Sequence, residues 1–219
     1  MAILLYANPI VNAYSGADLF GKIIFISLFF LSVATWVIFV QKIVIQKRTR
    51  SLGHALQQKY SYYDPTLKAG NHPFGELYTT LQKSAGALLQ KQQGLTEGDI
   101  NFIRAHLQQR VSIEIGQMEK RLPFLSTVIS LAPFLGLLGT VWGILLTFAE
   151  LQAGGTISAS STMMGGLAMA LGTTVLGLLV AIPSLIATNW LRADLRLLTQ
   201  EMEDFSNILV ASIERHYRR

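Results

Sequence analysis

The side chains with chemistry to offer between Leu122 and Leu191 are the hydroxyls of two apolar stretches, Thr140, Thr173 and Thr174 near mid-span among them, and the carboxylate Glu150. A hydroxyl donates and accepts at once, so it can orient or relay a proton through water, but it cannot store one at accessible pH. A carboxylate can, and an acid at membrane depth is a functional suspect by default. Their surroundings set these residues apart: between Leu122 and Leu191, Glu150 is the only charged side chain. The chain has no cysteine, which excludes disulfides and thiolate metal sites. None of His54, His72, His106 and His216 has a second ligand at i+3 or i+4, so no metal site is expected. No G-x-S-x-G, H-E-x-x-H or P-loop pattern occurs, and no enzyme activity is expected.

The elements that must position these residues are two apolar spans, Pro123–Phe148 and Met164–Trp190, joined by a small polar loop at Ala153–Thr162. Each exceeds the roughly 20 apolar residues that cross about 30 Å of hydrocarbon. In the first, Ser126, Ser130, Pro133, Gly136, Thr140, Gly143 and Thr147 recur at intervals of three or four. In the second, Gly166, Ala170, Thr173/Thr174, Gly177, Ala181, Ser184 and Thr188 do the same. Such spacing puts them on one helical face. Small residues there let helices approach closely, and hydroxyls can bond across the interface. Gly136, Gly143, Gly166, Ala170, Gly177 and Ala181 are therefore expected to form a helix-packing seam. A plainer reading stands beside this one. The glycines then serve packing alone, and each threonine bonds a carbonyl one turn back in its own helix. Glu150, two residues past Phe148, is expected near the interface, where a solvated carboxylate costs little; a role at a proton entrance is the alternative.

Of the 219 residues 51% are hydrophobic and 14% charged, with a mean hydropathy of +0.40, against about 25% charged in soluble domains. The net charge of +5 invites a nucleic-acid reading, but the distribution of the bases argues for membrane topology instead. Ile23–Gln41 is a further apolar run, and the bases Lys42, Lys47, Arg48 and Arg50 follow it rather than precede it, unlike a signal peptide. Lys120 and Arg121 precede the second span, Arg192 and Arg196 follow the third, and the loop between has no base. All but Lys22 of the 18 Lys and Arg residues then fall on one side, which the positive-inside rule makes cytoplasmic.

The expected organisation is an all-α membrane protein with three transmembrane helices, N-out and C-in. It has a periplasmic N-terminus (1–21), spans at 22–42, 122–149 and 164–190, a cytoplasmic helical region (43–121), a periplasmic loop (150–163) and a cytoplasmic C-terminal helix (191–219). Gly53, Asp64-Pro65 and Gly70-Asn71-His72-Pro73 make Ser51–Pro73 a broken connector, and Phe74–Gln93 has helical composition. Thr96 and Asp99 form a capping-box pattern. The stripe Ile100, Ile103, Leu107, Val111, Ile115, Met118, Leu122 predicts one long helix running into the second span, kinked at Pro123 and Pro133. Leu191, Leu195, Leu198, Met202, Phe205 and Leu209 have heptad spacing, so the third span is expected to continue as a cytoplasmic helix.

LGLLGTVWG at Leu135–Gly143 and GTTVLGLLVAIPSLIATN at Gly172–Asn189 resemble the TolQ/ExbB/MotA family of inner-membrane proton-channel subunits. The specific matches are the GTVWG core and the pattern Thr174, Gly177, Leu178, Ala181, Ile182, Pro183, Asn189. The resemblance is strong over Leu122–Trp190 and architectural elsewhere. It points to the TolQ and ExbB branch, with the short N-terminus and the tail EDFSNIL (Glu203–Leu209) more TolQ-like. It implies long helices projecting into the cytoplasm and a homo-oligomeric ring, pentameric in that family, around a TolR- or ExbD-like single-span partner. A TolA- or TonB-like protein then carries work to the outer membrane, with protons as coupling ion, no cofactor and no nucleic acid. The family's pore threonines match Thr140 and Thr174, beside Thr173. One departure matters: where the family commonly has A-E-A-L, this chain has Ala168-Met169-Ala170-Leu171, and Met169 cannot titrate. A conducting ring would need its acid from the partner. A non-conducting scaffold and the permease part of a transporter are the competing classes.

Overall fold

The computed structural model describes residues 9–59, 70, 72–90, 94–152 and 157–217, without the side chains of 9, 54–59 and 157–162. The described residues form helices and short connections, with no strand element among them: α1 (Pro9–Ser15), α2 (Leu19–Lys59), α3 (Pro73–Leu89), α4 (Glu97–Glu119), α5 (Leu122–Gln152) and α6 (Ile157–Tyr217). Three stretches, Leu19–Gly53, Glu97–Gln152 and Met163–Tyr217, are long and apolar enough to cross a membrane. The protein is an all-α chain with three membrane-spanning helices. It divides into two compact units, Met1–Phe39 with Arg121–Asn189, and Val40–Lys120 with Trp190–Arg219.

In the first unit, Ile24 and Leu28 of α2, Val128 and Ala132 of α5, and Val180 and Ala181 of α6 form the buried core. The outward residues Phe134, Leu137, Val141, Leu145, Leu171, Val175 and Leu179 are exposed and apolar, as a lipid-facing surface requires. Hydroxyls inside the helices turn back on their own backbone: Ser27 to Ile24, Thr35 to Leu31, Thr147 to Gly143 and Ser184 to Val180. Pro133 and Pro183 lie inside α5 and α6 without ending them.

The long helix expected to run unbroken from Thr96 into the second span is not continuous. It stops at Glu119 and restarts at Leu122, with Arg121 at φ 77°. A mid-helix proline costs about 3 kcal/mol, while a single left-handed residue costs about 1–2 kcal/mol. Restarting the helix puts Pro123 in a first turn, where its missing N–H is no loss. Lys120 and Arg121 are exposed, so water can satisfy the freed groups. At Pro133 and Pro183 a break would leave several unsatisfied groups in hydrocarbon, and the helix persists there.

The polar stretch 150–163 is less of a loop than its composition suggests. Glu150 is still helical, α5 runs to Gln152 and α6 has begun by Ile157; 153–156 lie outside the described residues. Propagation from long flanking helices adds a bond per residue fixed, which outweighs the weak propensity of Ser and Thr. Gly53 likewise breaks nothing. It lies within α2, and a Cβ there would come 2.5 Å from the Phe74 ring, so it is glycine for close approach. Asp64-Pro65 lies outside the described residues.

In the second unit the heptad residues Leu191, Leu195, Leu198, Met202, Phe205 and Leu209 of α6 are all buried. Phe205 meets Phe74 edge-on, with centroids 5.6 Å apart. The α4 face Ile100, Ile103, Leu107, Val111 and Met118 is buried too, with Ile115 half-buried. Thr96 caps α4 and Asp99 reaches back to the Thr96 backbone N–H at 2.9 Å, completing the capping box. Arg50 bonds Asp194 (2.7 Å) and Glu201 (3.0 Å); burial opposes its charge, but the two carboxylates outweigh burial and raise its pKa. In the last turn of α4, before the break, the Met118 carbonyl accepts from the buried Lys42 ammonium at 2.5 Å.

Candidate functional site

The seam proposed from spacing is a contact between α5 and α6 of the same chain. A Cβ on Gly143 would lie 2.5 Å from the Gly166 carbonyl and 2.9 Å from the Ala170 methyl. One on Gly177 would lie 2.6 Å from the Ala132 carbonyl, and one on Gly136 would lie 2.9 Å from the Thr173 carbonyl. Gly136, Gly143, Gly166, Ala170, Gly177 and Ala181 are all buried. Backbone thus lies against backbone along the seam, which only residues this small permit.

The three threonines occupy different places. Thr174 donates across the seam to the Gly136 carbonyl at 3.1 Å. Thr173 is wholly buried, its hydroxyl among the carbonyls of Ala170 (2.9 Å), Met169 (3.0 Å) and Gly136 (3.4 Å). Within the single chain it is covered on all sides. Its single proton is shared among acceptors of two helices, and a Cβ on Gly139 would collide with it. Thr140 is half-exposed and bonds the Leu137 carbonyl of its own helix at 2.6 Å, the plainer of its two readings. Glu150 lies in the last turn of α5, half-buried and about 15 Å along the helix from Thr140.

A second carboxylate, Asp18, the one acid among residues 1–39, is engaged as well. Asp18 precedes α2 and accepts the Gly21 N–H at 2.9 Å, the N-cap bond, and its other oxygen accepts Trp142 Nε1–H at 2.9 Å. An Asp just before an apolar run is a readable cap signal; its partner, 124 positions away, is not. Met169 is fully buried beside Ala13, Ala17 and Phe25, with Trp142 against that cluster, so the position where a titrating acid was missed is apolar packing. Among the described residues no group of three His, Cys, Asp or Glu side chains could hold a metal ion.

Long apolar helices with a small-residue seam and hydroxyls at mid-span define a multi-span membrane protein built for close helix association. Residues 77–204 match the MotA/TolQ/ExbB proton channel family, and the chain belongs to it. The Tol-Pal system protein TolQ of Haemophilus influenzae is 28% identical over 91% of this chain and 92% of that protein. Its namesake in Pseudomonas aeruginosa is 28% identical over 92% and 90%. The biopolymer transport protein ExbB of Aquifex aeolicus is 52% identical, over 34% of this chain and 50% of that protein.

Proposed function

We propose that this chain is the channel-forming subunit of a proton-driven motor in the bacterial inner membrane. It spans the membrane three times, N-out and C-in, and assembles as a homo-oligomeric ring, a pentamer, around a TolR- or ExbD-like single-span partner. Proton flow moves that partner, and a TolA- or TonB-like protein carries the work outward. Of the two roles the Tol-Pal one is preferred, because the TolQ relatives align along nine-tenths of the chain whereas the ExbB match of 52% covers 34% of it. An ExbB-like role in energised uptake is the alternative.

The observation that carries the reading is Thr174, a hydroxyl at mid-span bonded across the seam to a backbone carbonyl. It is polar, helix-bridging and unable to store a proton. The apolar packing of Met169 supports an acid supplied by the partner. A non-conducting scaffold is favoured by one observation, the Thr140 hydroxyl already satisfied within its own helix. Proton flux into liposomes containing this chain, with and without a single-span partner bearing an intramembrane Asp, separates the two. The motor conducts with the partner; the scaffold never does.

A further inference from the structure

The membrane unit contains only two acids, Glu150 and Asp18. An N-cap needs one carboxylate oxygen, and at Asp18 the Gly21 N–H supplies that bond. The second oxygen is held by Trp142, ten residues from the end of α5 and so about 15 Å along that helix. The indole is fixed on both sides: the Phe20 ring lies 4.5 Å away, centroid to centroid, and Trp142 packs against the cluster that contains Met169. Gly21 completes the arrangement, since any Cβ there would collide with the Met169 sulfur. One half-buried carboxylate thus joins the first turn of α2 to the interior of α5, with α6 behind.

The chemistry of this pair depends on a proton. An indole N–H is a donor and nothing else, so it needs an acceptor. An ionised carboxylate accepts at both oxygens, and its charge makes such bonds about twice as strong as neutral ones. A proton on the oxygen facing Trp142 sets donor against donor and removes the bond.

We propose that Asp18 and Trp142 form a proton-sensitive latch, closed while the carboxylate is ionised and open when it takes a proton, freeing the start of α2 from α5. The titratable groups on the elements packed around it are few. Lys22 lies one turn along α2, Tyr14 lies on α1, and Glu150 lies eight residues beyond Trp142 on α5. α6 contributes no charged side chain between Met163 and Asn189. The latch gives the chain a proton-linked element of its own. Its role in transport rests on the channel reading above, but its existence does not.

The chain has three tryptophans, so Trp36→Phe with Trp190→Phe leaves Trp142 as the sole indole reporter. In the full chain in lipid nanodiscs, titrated from about pH 8 down to about pH 2.5 so that the ordinary carboxylate range is covered, Trp142 emission should shift along a single sigmoid. Asp18→Asn caps a helix as well as Asp does and should abolish the shift, as should Asp18→Ser, while Glu150→Gln leaves it in place. A flat titration of the parent, or an unchanged sigmoid in Asp18→Asn or Asp18→Ser, overturns the latch. The measurement needs neither partner nor flux, so absence of conduction would sink the channel reading without touching this result.

Discussion

The Thr174 hydroxyl donates to the Gly136 carbonyl, 3.1 Å away on the neighbouring helix. At the same carbonyl Thr173 arrives at 3.4 Å, so one backbone oxygen gathers two hydroxyls from α6. Gly136 makes this possible, because a Cβ there would stand 3.0 Å from the Thr174 Cα and push the helices apart.

The seam is the first thing to test. Gly143→Leu and Gly177→Leu insert a side chain where backbone carbonyls stand 2.5 Å and 2.6 Å from a Cβ. Each should destabilise the chain by about 3 kcal/mol or more, at the upper end of overpacking costs. Leu138→Ala, on an exposed face, should be nearly neutral. Thermal unfolding of the full chain in detergent reads the difference, and stable leucine variants would place the seam elsewhere.

Lys42 at the break after α4 makes a second test. Its ammonium donates to the Met118 carbonyl from a buried position. Lys42→Met removes a charged, buried hydrogen bond, a loss of about 1.5–3 kcal/mol. Lys42→Gln keeps a donor and should lose less. Equal melting temperatures for Lys42→Met and the parent would contradict the cap.

Some of this was legible in sequence and some was not, for physical reasons. Heptad spacing identified the buried face from Leu191 to Leu209, because burial imposes the period of the helix on the residues that are buried; along α5 the small-residue stripe drifts off the buried face, with Ser130 exposed and the buried Gly139 outside it. Period does not name a partner. The seam pairs α5 with α6 of one chain, which only the assembled helices reveal. The break at Lys120–Arg121 was missed because no glycine marks it; the cause is Pro123, two residues downstream, acting on the turn before it. Gly53 carried the opposite error, a glycine taken for a breaker that serves the Phe74 ring. At the candidate site spacing left the direction of each hydroxyl open: Thr174 turns across the seam and Thr140 back on its own helix. Asp18 and Trp142 belong to segments with no pattern in common.

His72 carries a pH dependence with a definite sign. It caps α3, its Nδ1 accepting the Gly75 N–H at 2.9 Å, which only the neutral ring can do. Burial lowers its pKa below the ordinary 6.5, with Glu76 opposing. The unfolded chain then binds the proton first, so this contribution is full above about pH 6.5 and is lost as pH falls through the lowered value. Melting temperatures should drop between about pH 7.5 and pH 5.5. His72→Asn, which caps without titrating, should flatten the part of that drop due to this site. An identical drop in the variant would show that the acid sensitivity lies elsewhere.

Orientation is tested with single cysteines at exposed positions. Asn12, Gln109 and Asn207 are exposed, whereas the neighbouring Ser206 is buried and unsuitable. In intact spheroplasts an impermeant thiol reagent should label Asn12→Cys and spare Gln109→Cys and Asn207→Cys until lysis. Labelling of either of the latter without lysis would reverse the topology.

The central claim is that protons pass this chain by way of seam hydroxyls and an acid that the partner supplies. Rings of the chain reconstituted in liposomes around a single-span partner with an intramembrane Asp test it most directly, read as proton flux under an imposed gradient. The account predicts flux with the partner, little without it, and loss of flux either on Asp→Asn in the partner or on Thr140→Val with Thr174→Val here, with the ring intact by native mass spectrometry. Undiminished flux through the double valine ring, or flux through rings of this chain alone, would contradict it.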